Sequence, residues 1–154
     1  MSVVKQSANA VRLDPRRVEQ LKNIALKLGT TNAGVIAQTI RQHVAAGTIP
    51  ADIPGIGVRK VPGGITIGID DAEPVKLGYE IARQIASSLR AAADNGASDI
   101  QPFAEVGYGV MKQGTGIKFL LPFSGTGARS YKNAVSFPPD LAADLAGVIE
   151  KAAQ

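Results

Sequence analysis

A stretch rich in proline and glycine divides this sequence after its first fifty residues. It runs from Gly47 to Gly55 and holds two prolines and two glycines in nine residues. Such a stretch cannot continue a helix and favours an extended, partly stiff connector. The sequence therefore predicts two domains, residues 1–47 and 56–154, joined by a linker over residues 48–55.

Charge is distributed unevenly between the two parts. Residues 1–50 hold seven Lys and Arg against two acidic residues, a net charge of +5, whereas residues 51–154 hold ten against eleven, a net charge of −1. A small basic module joined to a near-neutral larger one is typical of a domain that binds a polyanion beside a separate partner domain.

Two helices are predicted in the first part. Asp14 can act as the N-cap of the first helix, Pro15 fits its first position, and Gly29 ends it. Thr30, Thr31 and Asn32 can satisfy free N–H groups at the start of a second helix, which Gly47 closes. The predicted apolar stripes are Val18, Leu21, Ala25 and Leu28 on the first helix and Ala33, Ile36, Ala37, Ile40 and Val44 on the second.

The segment before the first helix, from Ser7 to Leu13, is extended in character. One short strand and two helices in some 45 residues make too small a core to be stable alone, since chains this short usually need disulfides, metals or a partner subunit. A lone strand would also expose both of its edges. Pairing of this strand with the same strand of a second copy solves both problems, so the sequence predicts a homodimer.

These residues resemble the ribbon-helix-helix DNA-binding family of the Arc and CopG type. The similarity covers about residues 7–47 and is carried by Val11-Arg12-Leu13-Asp14-Pro15, Leu21, Ala25, Gly29-Thr30-Thr31-Asn32-Ala33, Ile36 and Ile40. The resemblance implies an intertwined dimer whose paired strands enter the major groove of duplex DNA.

The resemblance also implies which residues meet DNA. With Val11 and Leu13 facing inward, strand alternation turns Ala8, Ala10 and Arg12 outward as base readers, with Arg12 able to pair with guanine and the alanines offering only methyl groups. A DNA phosphate is expected at the start of the second helix, and the cations near the strand are further phosphate candidates. These phosphate contacts are Thr30, Thr31, Asn32, Ala33, Lys5 and Arg16.

The second part contains an internal repeat. Residues 57–67 match residues 109–119, with Gly, Val, Lys, Gly and Ile identical, and later residues match at an offset of 60 instead of 52. Each copy, residues 56–95 and 106–154, reads as a hairpin, a short strand and a helix, and the predicted helices are 78–93 and 138–153. We expect an α+β fold, with a pseudo-symmetric C-terminal domain of about six strands and two helices.

Residue types exclude much of catalysis. The chain has no cysteine and a single histidine, His43, so disulfides, thiolate metal sites and cysteine nucleophiles are ruled out. Asp70, Asp71 and Glu73 are interpreted as a solvated turn, and residues 124–130 as a hairpin insertion, because they lack the Gly-Lys-Ser/Thr ending of a phosphate loop. We expect no enzyme activity, no metal and no cofactor.

No secretory signal and no membrane span are predicted. The first residues lack an apolar core, and no stretch approaches the roughly 18 apolar residues that a span needs. We therefore expect a cytoplasmic protein.

The predicted function is sequence-specific binding of double-stranded DNA by a homodimer, as a transcriptional repressor or regulator. The sequence leaves alternatives open. The first alternative is an antitoxin or a plasmid partition or relaxosome accessory factor, whose C-terminal domain binds another protein. That domain could instead bind a small molecule or assemble further copies, and the N-terminal module could oligomerise without touching DNA.

Overall fold

The computed structural model describes residues 10–70, 73–95, 108–114, 116–121 and 134–154. These residues form four α-helices and two small antiparallel sheets of three strands each, so the predicted α+β class is confirmed. The chain divides into two compact units, residues 1–46 (unit 1) and residues 47–154 (unit 2). None of the described helices combines the length and the apolar character that a membrane span needs.

Unit 1 contains two helices, α1 (Pro15–Leu28) and α2 (Asn32–Ala45). Asp14 caps α1 by accepting a hydrogen bond from the Arg16 N–H at 2.8 Å, with Pro15 at the start of the helix as predicted. Gly29 ends α1 in the left-handed conformation at φ 66°, where a side chain would be strained. The sequence predicts Gly47 as the end of α2, but the helix ends at Ala45, two residues earlier. Gly47 itself has φ 76°.

The contact between α1 and α2 uses a different face of α2 from the one predicted. Ala25, Val35 and Ala37 are buried between the helices, whereas Ile36 and Ile40 of the predicted stripe are 51% and 49% exposed. Only Ala37 of that stripe is buried within this chain. The side of α2 that carries Ile36 and Ile40 is therefore only partly covered within the described part of the chain.

The predicted strand from Ser7 to Leu13 falls partly outside the described residues, which begin at Ala10. Residues 10–14 form no strand hydrogen bonds and are exposed. A ribbon strand pairs only across two chains, so one chain by itself cannot form it. The ribbon stays a prediction.

Unit 2 contains two three-stranded sheets, each built as a meander with its second strand in the middle. All pairs are antiparallel. Gly63 and Gly114 supply the positive φ, 81° and 61°, at the two hairpin turns. The first sheet comprises β1 (Ile56–Val61), β2 (Gly64–Ile69) and β3 (Val75–Gly78), and the second β4 (Gly109–Gln113), β5 (Gly116–Leu120) and β6 (Ala134–Phe137).

Each sheet is followed by one helix, α3 (Tyr79–Asn95) or α4 (Pro139–Ala152). The two helices pack against each other and against the apolar faces of both sheets in a single core. Strand alternation places the buried side chains on one face of each sheet. The largest fully buried side chains are Phe119, Ile65, Ile67, Ile85, Leu89, Ile117, Leu145, Ile149 and Val110.

Part of the predicted linker belongs to unit 2. Ile53 packs against the core, and its carbonyl accepts a hydrogen bond from the Ile56 N–H at 3.0 Å. The Gly55 carbonyl accepts another from the Asp70 N–H at 2.7 Å. Because Ile53 is apolar, it gains more by covering the core than by remaining in solvent. The connector is therefore shorter than the proline and glycine content suggested.

Polar contacts join parts of unit 2 that are distant in sequence. Arg90 of α3 donates two hydrogen bonds to the Glu150 carboxylate of α4, at 3.0 and 2.7 Å. These hydrogen bonds and the negative charge of Glu150 raise the pKa of Arg90. The Tyr108 hydroxyl donates to Gln84 Oε1 at 3.1 Å, and burial raises the pKa of the Tyr108 phenol.

Candidate nucleic-acid interface

The start of α1 presents cations to solvent. Arg12 precedes the helix in the exposed segment and forms no ion pair or side-chain hydrogen bond with the described residues. Arg16 lies 3.4 Å from the Asp14 carboxylate, with their side chains 90% and 52% exposed. Arg17 donates a hydrogen bond to Gln20 Oε1 at 2.9 Å. Arg12 is thus available to an external acceptor.

The electrostatic arrangement at this helix end is unusual. Acidic side chains normally favour the first turn of a helix, because the helix dipole is positive there. The first turn of α1 holds no acidic residue and carries Arg16 and Arg17 instead. The N-terminus of α1 is therefore positively charged, and Asp14, the N-cap, is the carboxylate beside these two arginines.

The start of α2 is organised around Thr31. Its side chain accepts a hydrogen bond from the Gly34 N–H at 3.1 Å, and its carbonyl accepts one from the Val35 N–H at 3.0 Å. The N–H groups of Asn32 and Ala33 donate to no described group. Two donors at a positive helix end are thus left for an anion, where the resemblance expects a DNA phosphate.

Gly34 is a residue of this helix end that sequence reasoning missed. A Cβ added at Gly34 would collide with the Thr30 hydroxyl oxygen, which lies above the first turn of α2. Glycine therefore allows Thr30 to sit over the helix start. The signal is present in the sequence as a glycine four residues after a threonine, but it gains meaning only when the helix boundary is known.

The structure places the predicted contacts in two groups. Arg12 and Arg16 flank the start of α1, while Thr30, Thr31, Asn32 and Ala33 follow its end. Since α1 has 14 residues, these groups lie about 20 Å apart. One chain therefore does not gather them into a single pocket. Ala10 is exposed next to Arg12, and the predicted contacts Lys5 and Ala8 lie outside the described residues.

Unit 1 also exposes apolar side chains close to these groups. Val11 is 85% exposed and Leu13 is 47% exposed, on either side of Arg12. On the helices, Ile24, Leu28, Ile36 and Ile40 are each about half exposed. Exposed apolar side chains at this many positions of a small unit favour an interaction surface.

The acidic residues considered in the sequence, Asp70, Asp71 and Glu73, belong to unit 2. In the part of the chain that the structure describes, no three His, Asp or Glu side chains are grouped closely enough to hold a metal ion. Asp70 has φ 50° and lies against Gly55 at the end of β2. Asp71 and the insertion at 124–130 lie outside the described residues. The absence of enzyme activity stays a prediction.

Comparisons of the chain with protein-family models, with curated proteins and with solved structures give no match.

Proposed function

We propose that this protein is a homodimeric, sequence-specific DNA-binding regulator with a ribbon-helix-helix unit at its N-terminus. The observation that carries the proposal is the exposed segment from Val11 to Leu13, in which two apolar side chains flank a free arginine. Alternation along an extended segment turns Val11 and Leu13 to one side and Arg12 to the other. Pairing of two such segments would bury the apolar side and present two arginines to the major groove.

The second helix supports the same proposal. Ile36 and Ile40, each about half exposed, would give the dimer a second apolar contact. The free N–H groups of Asn32 and Ala33 would hold a phosphate on each half of the dimer. Contacts spread over about 20 Å of one chain suit the extended backbone of a duplex better than they suit a small ligand.

We further propose that unit 2 consists of two related βββα motifs and serves as the partner domain. The support is the identical order of elements, three strands and a helix, in residues 56–95 and 109–152. The strand pairing is also the same, with two successive antiparallel hairpins in each copy. The proposed localisation is cytoplasmic, where such a regulator would meet DNA.

The test begins with selection of a preferred duplex from a random-sequence pool by the full chain. We expect Arg12→Ala to reduce the preference of this duplex over a scrambled one by about 30-fold or more, because the dimer loses two bidentate arginine–guanine pairs that each contribute about 1–3 kcal/mol of discrimination. Fluorescence anisotropy with both duplexes measures the ratio. The matched control is Lys27→Ala, which removes an exposed cation at the other end of α1.

Two results would contradict the proposal. One is a monomer in sedimentation equilibrium at micromolar concentration, since a single chain cannot pair the ribbon. The other is a wild-type chain that selects no duplex from the pool. Equal weakening on both duplexes would instead make Arg12 a phosphate contact.

A further inference from the structure

The outer face of the first sheet is basic, and the three strands that form it hold no acidic residue. The residues of this face are those that alternate with the buried isoleucines and leucine of β2 and β3. No acidic residue occupies any position of β1, β2 or β3. Away from Val61 and Gly64 at the hairpin turn, the face consists of Gly57, Arg59, Thr66, Gly68, Lys76 and Gly78.

A row of three polar side chains crosses this face. Arg59 pairs with Thr66, and Thr66 pairs with Lys76, so the three stand side by side across the sheet. Neighbouring strands are about 4.8 Å apart, which puts the Cα atoms of Arg59 and Lys76 about 10 Å from each other. Arg59 and Lys76 are exposed and form no ion pair with the described residues. Two free cations therefore flank a hydroxyl group.

Two glycines beside this row are required neither by backbone conformation nor by lack of space for a side chain. Gly57 and Gly78 lack positive φ, and a Cβ added at either would meet no atom within 4 Å. Glycine weakens a strand because it has no side chain to pack and loses more backbone freedom on folding. Gly57 leaves the backbone open beside Arg59, and Gly78 leaves it open beside Lys76, so that another molecule can approach closely there, whereas Pro74 lies against Gly68.

The corresponding face of the second sheet is different. Its central row is Met111, Lys118 and Ser136, with one cation in place of two. Leu120 and Gly109 on that face are buried, whereas Gly57, Gly78, Arg59 and Lys76 of the first sheet are exposed. An open, basic face is thus a property of the first sheet alone among the two described sheets.

We infer that the outer face of the first sheet binds the phosphate backbone of duplex DNA, as a second contact that does not depend on sequence. This inference rests on the proposed function. Charge complementarity selects this occupant, because phosphates match two free cations on a face whose strands hold no acidic residue. A second copy docking through the same face would instead bring four cations together without a counter-charge. Tethered to the N-terminal unit, this contact would raise the affinity of the whole chain through effective concentration.

The experiment compares full-length variants on a random-sequence duplex of 30 base pairs over a range of NaCl concentrations. We expect the double variant Arg59→Ala/Lys76→Ala to make the plot of log affinity against log salt shallower. The magnitude of its slope should fall by about 2 per chain, because each lost phosphate contact removes about 0.9. The control is Lys112→Ala/Lys151→Ala, which removes the same charge from exposed positions elsewhere in unit 2 and should leave the slope unchanged.

A second variant separates binding from folding. Gly57→Thr adds a side chain in open space on an exposed strand position, so the melting temperature should stay equal or rise. Binding of the random-sequence duplex should nevertheless weaken, because the added side chain blocks close approach. A structural role of Gly57 would give the opposite result, a lower melting temperature.

The outcomes distinguish this inference from the proposed function. If the wild type binds duplex DNA and the double variant keeps the wild-type slope, the inference is overturned while the DNA-binding function stands. If the wild type binds no duplex, both fail. If the double variant changes the oligomeric state in sedimentation equilibrium, the face holds another copy or segment of protein, which also overturns the inference.

Discussion

Units 1 and 2 differ in how much of their apolar surface one chain can cover. Unit 2 buries Ile65, Ile67, Ile117 and Phe119 completely, together with one face of each of its helices. Of the described large apolar side chains that stay exposed, all but Ile49 belong to unit 1. These are Val11, Leu13, Ile24, Leu26, Leu28, Ile36 and Ile40. Within the described residues, unit 2 has a complete core and unit 1 does not.

The difference follows from size and from layers. Unit 2 has two sheets and two helices, so every apolar face meets another layer. Unit 1 has two helices of 14 residues, which can cover only one side of each other. We therefore expect unit 2 to fold independently of protein concentration and unit 1 to depend on association.

The largest expected effect is in unit 2. Phe119→Ala should lower the free energy of unfolding of unit 2 by about 3–5 kcal/mol, because it removes a completely buried ring from a packed core. Urea unfolding followed by circular dichroism measures the change. The midpoint should not shift with protein concentration, in either the wild type or the variant.

The control for this prediction is Ile49→Ala. Ile49 is 44% exposed and is not part of the unit 2 core, so the change should be within about 0.5 kcal/mol. A loss as large as that of Phe119→Ala would show that unit 2 also relies on an external partner, and the contrast between the units would fail.

A second prediction concerns unit 1. In an isolated chain, Ile40→Ala should change stability by less than about 0.5 kcal/mol, because the side chain is half exposed. In the proposed dimer the same side chain is buried, and the loss should be about 2 kcal/mol per chain or more, with a midpoint that rises with protein concentration. Unfolding at two concentrations tenfold or more apart distinguishes the two cases.

The matched control is Leu26→Ala, which removes an apolar side chain that is 79% exposed and lies outside both predicted stripes. It should leave the unfolding midpoint unchanged at either concentration. Equal effects of Ile40→Ala and Leu26→Ala would mean that the side of α2 carrying Ile36 and Ile40 is not a specific contact.

Local features of the fold could be predicted from sequence because they depend on neighbouring residues. Asp14 and Pro15 begin α1, and Gly29 ends it, since capping and positive φ are decided within one turn of the helix. The alternation of Ile65 and Ile67 with smaller or polar residues likewise identifies the buried face of β2. Each of these signals is contained in fewer than six residues.

Features that depend on distant packing could not be predicted. The helical period predicts an apolar stripe on α2, but it does not show that Val35 is buried while Ile36 stays half exposed. Arg90 and Glu150 are 60 residues apart, and no local pattern connects them. The open outer face of the first sheet depends on which strand surfaces the rest of unit 2 leaves uncovered, which the alternation of residues does not state.

The candidate site shows the same division. Strand alternation predicts Arg12 as a contact, and the helix boundary predicts the N–H groups at the start of α2; both stay predictions as DNA contacts. The reasoning from sequence missed Gly34, whose importance lies in the position of the Thr30 side chain. Arg59 and Lys76 were also missed, since their pairing through Thr66 depends on strand register.

The smallest predicted effect concerns ion pairs, of which one is described in each unit. Arg90 and Glu150 join two helices through two hydrogen bonds, with their side chains 44% and 43% exposed. Arg16 and Asp14 are two residues apart, are more exposed and have a longer separation of 3.4 Å. The first pair connects parts of the fold, whereas the second only joins residues that the chain already holds together.

We therefore expect Glu150→Gln to destabilise unit 2 by about 0.5–1 kcal/mol at low salt, because exposed pairs contribute little and solvent screens them. The loss should shrink in 0.5 M NaCl. Arg16→Gln should leave the free energy of unfolding of unit 1 unchanged within error at both salt concentrations. It should reduce the magnitude of the salt slope of DNA binding, since the proposed role of Arg16 is contact with phosphate. If Arg16→Gln instead destabilised unit 1 without changing DNA binding, the role of Arg16 would be to stabilise the start of α1, and Arg16 would not be part of the proposed interface.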